Sequence, residues 1–100
     1  MERYNKLVRD NIPKILDEKG MVYEQRVASP EEFKAELIKK LSEEVAEFSA
    51  AGAPEELADV LEVLDTLRTL PEYREVERLQ QLKREERGGF NNRIILKGEK

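Results

Sequence analysis

The chain has no cysteine and no histidine. That excludes disulfides, zinc held by thiolate or imidazole, cysteine nucleophiles and histidine general bases. It also has no apolar run long enough to cross a bilayer and no signal-peptide pattern, so a soluble, cytoplasmic protein without a membrane partner is expected. No repeat and no low-complexity linker divides its 100 residues, and one small domain spanning 1–100 is expected. The chemistry that remains must use carboxylates, lysine, arginine, tyrosine, hydroxyl groups or a metal ion.

Charge is plentiful: 40% of residues are charged and 39% hydrophobic, too apolar and too periodic for disorder but thin for a self-sufficient monomer. The net charge of −4 argues against a nucleic-acid-coating role. It is unevenly spread, with eleven acids against three lysines in residues 31–65 and six bases against three acids in 81–100. An acidic middle and a basic tail suit a metal held beside an anionic ligand.

The acidic stretch, residues 43–65, reads as two helices broken at Gly52-Ala53-Pro54, each with two acids three residues apart: Glu44 with Glu47, and Glu56 with Asp59. Residues at that spacing are neighbours on a helix, and so short a connection dictates an antiparallel hairpin. At about 100° per residue, Phe33, Ile38, Leu37, Leu41, Val45 and Phe48 span about 60° to 200°, with Glu44 inside that arc and Glu47 off its edge. Leu57, Val60, Leu61, Val63, Leu64, Leu67 and Leu70 span about 160° to 340°, with Glu56 inside and Asp59 at the rim; Glu43, Glu55, Glu62 and Asp65 fall outside the arcs. One acid of each pair thus faces a core, where an unpaired carboxylate is costly. A divalent cation removes that cost, and convergent carboxylates suit Mg²⁺ or Mn²⁺.

Around this hairpin, Asp10 or Asn11 caps a short helix from Ile12 to Lys19, closed by Gly20. Residues 21–27 read as a strand. Ser29, Pro30 and Glu32 form a capping box opening the first acidic helix. Pro71 opens a further helix that ends at Gly88-Gly89, and residues 93–97 read as a strand pairing with 21–27. Arg9 is either a surface charge or a phosphate contact. Lys83, Arg87 and Arg93 around Gly88-Gly89-Phe90 are either phosphate ligands or the ordinary end of a charged helix.

Glu43-Glu44-x-x-Glu47 followed by Glu56-x-x-Asp59 resembles the EExxE…ExxD signature of the all-α, MazG-like nucleotide pyrophosphohydrolases. Lys6-Leu7-Val8-Arg9-Asp10-x-Ile12-Pro13 and Arg87-Gly88-Gly89-Phe90 are similar to segments of its small stand-alone members, so the resemblance covers nearly the whole chain. It implies Mg²⁺-dependent hydrolysis of a nucleoside triphosphate, or a related nucleotide, to the monophosphate and pyrophosphate. It further implies Glu44, Glu47, Glu56 and Asp59 as metal ligands, and Glu43 as a second-metal ligand or water-activating base. The chain departs from the family in having only eight residues between Glu47 and Glu56, which puts Glu56 at the very start of its helix.

The resulting expectation is a mainly α chain whose hairpin completes a four-helix-type bundle on oligomerisation, with a β-ribbon of 21–27 and 93–97. The width of the second apolar arc points to a homodimer, or a higher homo-oligomer, with the active site near the interface. Two alternatives stand beside it: hydrolysis of phosphoribosyl-ATP or another nucleotide adduct, and a non-catalytic helical protein whose acidic patch binds a basic partner.

Overall fold

A computed structural model describes residues 5–99 of the chain. Its elements are α1 (Ile12–Glu18), α2 (Pro30–Ala51), α3 (Pro54–Arg68), a 3₁₀ turn (Pro71–Tyr73) and α4 (Val76–Arg87). The helix ends follow local chemistry. After α1, Gly20 takes a φ of +68°, its N–H donates to the Asp17 carbonyl and that of Met21 to the Leu16 carbonyl, the two bonds of a Schellman stop. At the end of α2, Gly52 takes a φ of +64° and donates to the Phe48 carbonyl at 2.7 Å. Ala53 is extended, and Pro54 restarts the chain as the first residue of α3. The turn folds α2 and α3 into the antiparallel hairpin that dominates the packing.

The core is small: Leu37 of α2 and Val60 and Val63 of α3 are the buried apolar side chains among the described residues. They lie along the line where the two helices touch. Because the helices run in opposite directions, the sense of one helical wheel reverses relative to the other, and the hairpin acquires two distinct faces. Lys40, Glu44, Asp59, Glu62 and Thr66 flank the contact line on one face, which Leu7, Ile12 and Ile15 of the N-terminal segment help to cover. Ile38, Val45, Leu57, Leu61 and Leu64 flank it on the other, and all five are exposed.

The bare face, together with α4 and residues 88–99, which are exposed throughout, shows in the dimensions. The radius of gyration is 18.0 Å, against about 13 Å for a compact domain of this length. The accessible surface is 9616 Å², where a folded monomer of this mass exposes about 5,800 Å². Tyr23 ties its segment to α1, its hydroxyl donating to Asp17 Oδ1 at 2.8 Å. Lys34 lies 5.1 Å from the Tyr73 ring centre and ties the 3₁₀ turn to α2. Arg68 bridges α3 to α4 through Glu77 at 3.1 Å.

Three local expectations come out differently. Ser29 Oγ accepts from the Glu32 N–H at 3.2 Å, but the Glu32 carboxylate does not return the bond. It takes two hydrogen bonds from Arg26, at 2.5 and 2.6 Å, because a bidentate guanidinium outcompetes a single backbone N–H. The helix expected to open at Pro71 is broken after one 3₁₀ turn, and regular α-structure resumes at Val76. The β-ribbon is not formed: neither 21–27 nor 93–97 is a strand, and no strand occurs among the described residues. Val22, Val27, Ile95 and Leu96 stand almost wholly in solvent. A two-stranded ribbon is marginal without a face to pack on, and the single chain offers these segments none.

Candidate metal centre

Glu44 is the one buried charged residue among those described, 8% exposed. Its Oε1 lies 3.4 Å from Lys40 Nζ, one helical turn earlier, while its Oε2 is buried without a hydrogen-bond partner. Asp59, across the hairpin on α3, is half-buried, and its Oδ1 accepts from Arg9 Nη2 at 2.8 Å. Glu44, Asp59, Lys40 and Arg9 line a single cleft of about 490 Å³ between the hairpin and the segment leading into α1, with Glu62 on the same wall. Four acids, Asp10, Glu44, Asp59 and Glu62, and two cations from different elements thus share one pocket.

The remaining predicted ligands are placed otherwise. Glu56 is half-buried, and its Oε2 is buried with no partner, but it does not line the cleft. Glu47 and Glu43 are exposed on α2. No three acid side chains among the described residues stand close enough to hold one ion together. The donor chemistry nevertheless fits a hard cation: every candidate is a carboxylate, and each acid pair contributes one buried oxygen that nothing satisfies.

Arg87 and Arg93 line a second cleft, also about 490 Å³, together with Arg84, Gly88 and Gly89. Gly88, at a φ of +80°, does cap α4, its N–H donating to the Arg84 carbonyl at 2.8 Å. The chain then turns through Asn91-Asn92, closed by the Arg93 N–H donating to the Phe90 carbonyl at 3.1 Å. Arg93 sits at a φ of +57°, a left-handed conformation uncommon for arginine. Lys83 lies on α4 outside this cleft, and Phe90 is 97% exposed and belongs to no core. Lys83, Arg84, Arg87 and Arg93 form no ion pair among the described residues. The acidic and basic clefts share no lining residue.

Lys40 and Glu62 of the first cleft, and Arg84 of the second, are not among the residues the sequence singled out. Lys40 was legible as the i, i+4 partner of Glu44, and Glu62 as the i+3 neighbour of Asp59. Both are charged positions outside the apolar arcs, and charge outside an arc reads by default as a solvated face. Compared with known families, curated proteins and solved structures, the chain finds no match.

Proposed function

We propose that the chain is a Mg²⁺-dependent nucleotide pyrophosphohydrolase that cleaves a nucleoside triphosphate or related nucleotide to the monophosphate and pyrophosphate. The observation that carries this reading is the pair of buried, unpartnered carboxylate oxygens on Glu44 and Glu56, one from each helix of the hairpin. A protein has little reason to bury such oxygens unless a cation is to take them. Glu44 and Asp59, which share the cleft, would hold the ion, and Glu47 and Glu56, which lie outside it, would have to turn toward it to complete the set. When bound, it would supply charge neutralisation at the phosphates and acidify a water molecule. Glu43, exposed one residue before Glu44, is the base that accepts a proton, or a ligand to a second ion. Arg87 and Arg93, with Lys83 nearby, and Arg9 at the mouth of the acidic cleft, are the cations suited to phosphate oxygens.

The same reading includes assembly. The bare face of Ile38, Val45, Leu57, Leu61 and Leu64 packs against its copy in a second chain, and two hairpins make a four-helix bundle. The exposure of all five apolar side chains on one face of the hairpin supports this assembly. Residues 21–27 and 93–97 form their ribbon once assembly supplies a surface to pack on. A cytoplasmic location belongs to the same reading.

The test is pyrophosphate release over a panel of nucleotides, phosphoribosyl-ATP included, with Mg²⁺, Mn²⁺ or EDTA. Release that requires the metal and stops in EDTA is expected. No release from any nucleotide, together with no divalent binding by calorimetry in the presence of nucleotide, would overturn the reading in favour of a non-catalytic helical protein.

A further inference from the structure

Both ion pairs of the acidic cleft occupy carboxylates that the preceding reading assigns to the metal. Lys40 reaches Glu44 Oε1 and Arg9 reaches Asp59 Oδ1. We propose that Arg9 and Lys40 are displaceable internal counter-ions, which hold these two acids in the metal-free protein, compete with the divalent ion for them, and once displaced turn to an anionic ligand in the same cleft. The inference rests on the metal reading of the cleft but goes beyond it, since a metal site needs no resident cations.

The geometry suits temporary partners. Glu44 is buried enough to need a counter-charge, yet Lys40 stands 3.4 Å from one of its oxygens and leaves the other unsatisfied. A charge-assisted hydrogen bond is closer, at about 2.7–2.9 Å. The lysine sits one turn from its acid on the same helix, so its four-carbon stem can swing the ammonium away without any movement of backbone. Arg9 meets the shorter distance, 2.8 Å, but its side chain is 57% exposed and that of Asp59 43%, so solvent screens the pair and it opens at little cost.

Displacement leaves two cations lining a cleft that then holds a divalent ion. Their remaining use is to neutralise an anion bound to that ion, which is the chemistry of a polyphosphate. One set of residues thus partners Glu44 and Asp59 in the empty cleft and makes the loaded cleft attractive to substrate.

Calorimetric titration of Mn²⁺ alone into the full-length chain tests this, comparing wild type with Arg9→Gln, Lys40→Met and Lys40→Gln. Removal of a competing cation should tighten Mn²⁺ binding, by up to about fivefold for Arg9→Gln, as the loss of an exposed pair allows. It should tighten binding further for either Lys40 variant, where the acid is buried. With Mn²⁺ saturating, the same variants should bind a non-hydrolysable triphosphate analogue more weakly than wild type. Measurable Mn²⁺ binding by wild type with unchanged or weaker binding by the variants would overturn the counter-ion role and leave the metal reading standing. No Mn²⁺ binding by any of the proteins, even with the analogue present, would overturn both.

Discussion

Arg9 and Asp59 stand 50 positions apart in the chain and are joined by an ion pair of 2.8 Å. The pair lays the segment before α1 across one face of the hairpin and so closes the acidic cleft. Its contribution to stability is small, about 0–1 kcal/mol for partners this exposed. Its importance is positional, because it sits on the face of the hairpin that Leu7, Ile12 and Ile15 also cover.

The unsatisfied Glu44 carboxylate leads to a stability prediction. Glu44→Leu removes a buried charge with one orphaned oxygen and fills the space with carbon, while Lys40 is free to reach solvent. The metal-free protein should be stabilised by about 1–2 kcal/mol, a rise of roughly 5–10 °C in Tm at this length. Mg²⁺ should raise the Tm of wild type and leave that of the variant unmoved. Paired thermal melts with and without Mg²⁺ measure both effects, and a lowered Tm in Glu44→Leu would show that the buried carboxylate is fully compensated.

The bare face predicts the assembly state. Light scattering of wild type at micromolar concentration should give at least twice the chain mass of 11.6 kDa. A double substitution, Leu61→Lys with Leu64→Lys, places charges in the centre of that face and should reduce the mass to one chain. Because the acidic cleft lies on the opposite face, the double variant should keep its Mg²⁺ response. A wild-type species of monomer mass would mean that the chain covers these leucines by itself.

Arg87 should act on substrate rather than on folding. It lines the basic cleft and forms no ion pair among the described residues, so Arg87→Ala removes no internal partner. Loss of a charged hydrogen bond to phosphate corresponds to about 1.5–3 kcal/mol, or roughly 10- to 100-fold in kcat/KM. The circular dichroism spectrum should be unchanged. Unaltered kinetics would reduce Gly88-Gly89 to the plain helix stop that Gly88 also provides.

A pH effect should arise at the start of α2. The hydrogen bonds from Arg26 hold the Glu32 carboxyl below its ordinary value of 4.5, against an opposing effect of burial and with a lesser contribution from the guanidinium charge in the same downward direction. The folded chain therefore binds a proton at Glu32 less readily than the unfolded chain does. The stability that Glu32 contributes is present above pH 4.5 and is lost as the pH falls through the lower, folded value. Carboxyl chemical shifts followed by NMR should place the Glu32 midpoint below 4.5, and Arg26→Gln should return it to the ordinary range.

Helix ends proved legible because their causes are local. Ser29 with Pro30, Gly52 with Pro54, and Gly20 act on backbone groups within a few residues of themselves, and each stops or starts a helix where its chemistry requires. The burial of Glu44 was legible for a related reason, since its neighbours on the helical wheel are set by 3.6-residue periodicity alone. The strands were not realised, because a strand's backbone needs a partner from elsewhere and a surface beneath it. Val22 and Ile95 carry the right side chains but find neither in one chain.

By itself, then, the sequence determined the hairpin, its bounds and the acid that each helix turns inward, all of which follow from periodicity and from capping between near neighbours. Only the tertiary structure decided that Asp59 meets Arg9, that Lys40 and Glu62 join Glu44 in one cleft, and that Glu47 stays outside it. The physical reason is range. A helical wheel ranks residues around one axis, whereas the partner of a side chain across the hairpin depends on the relative rotation of two axes and on what covers them, which no local pattern encodes.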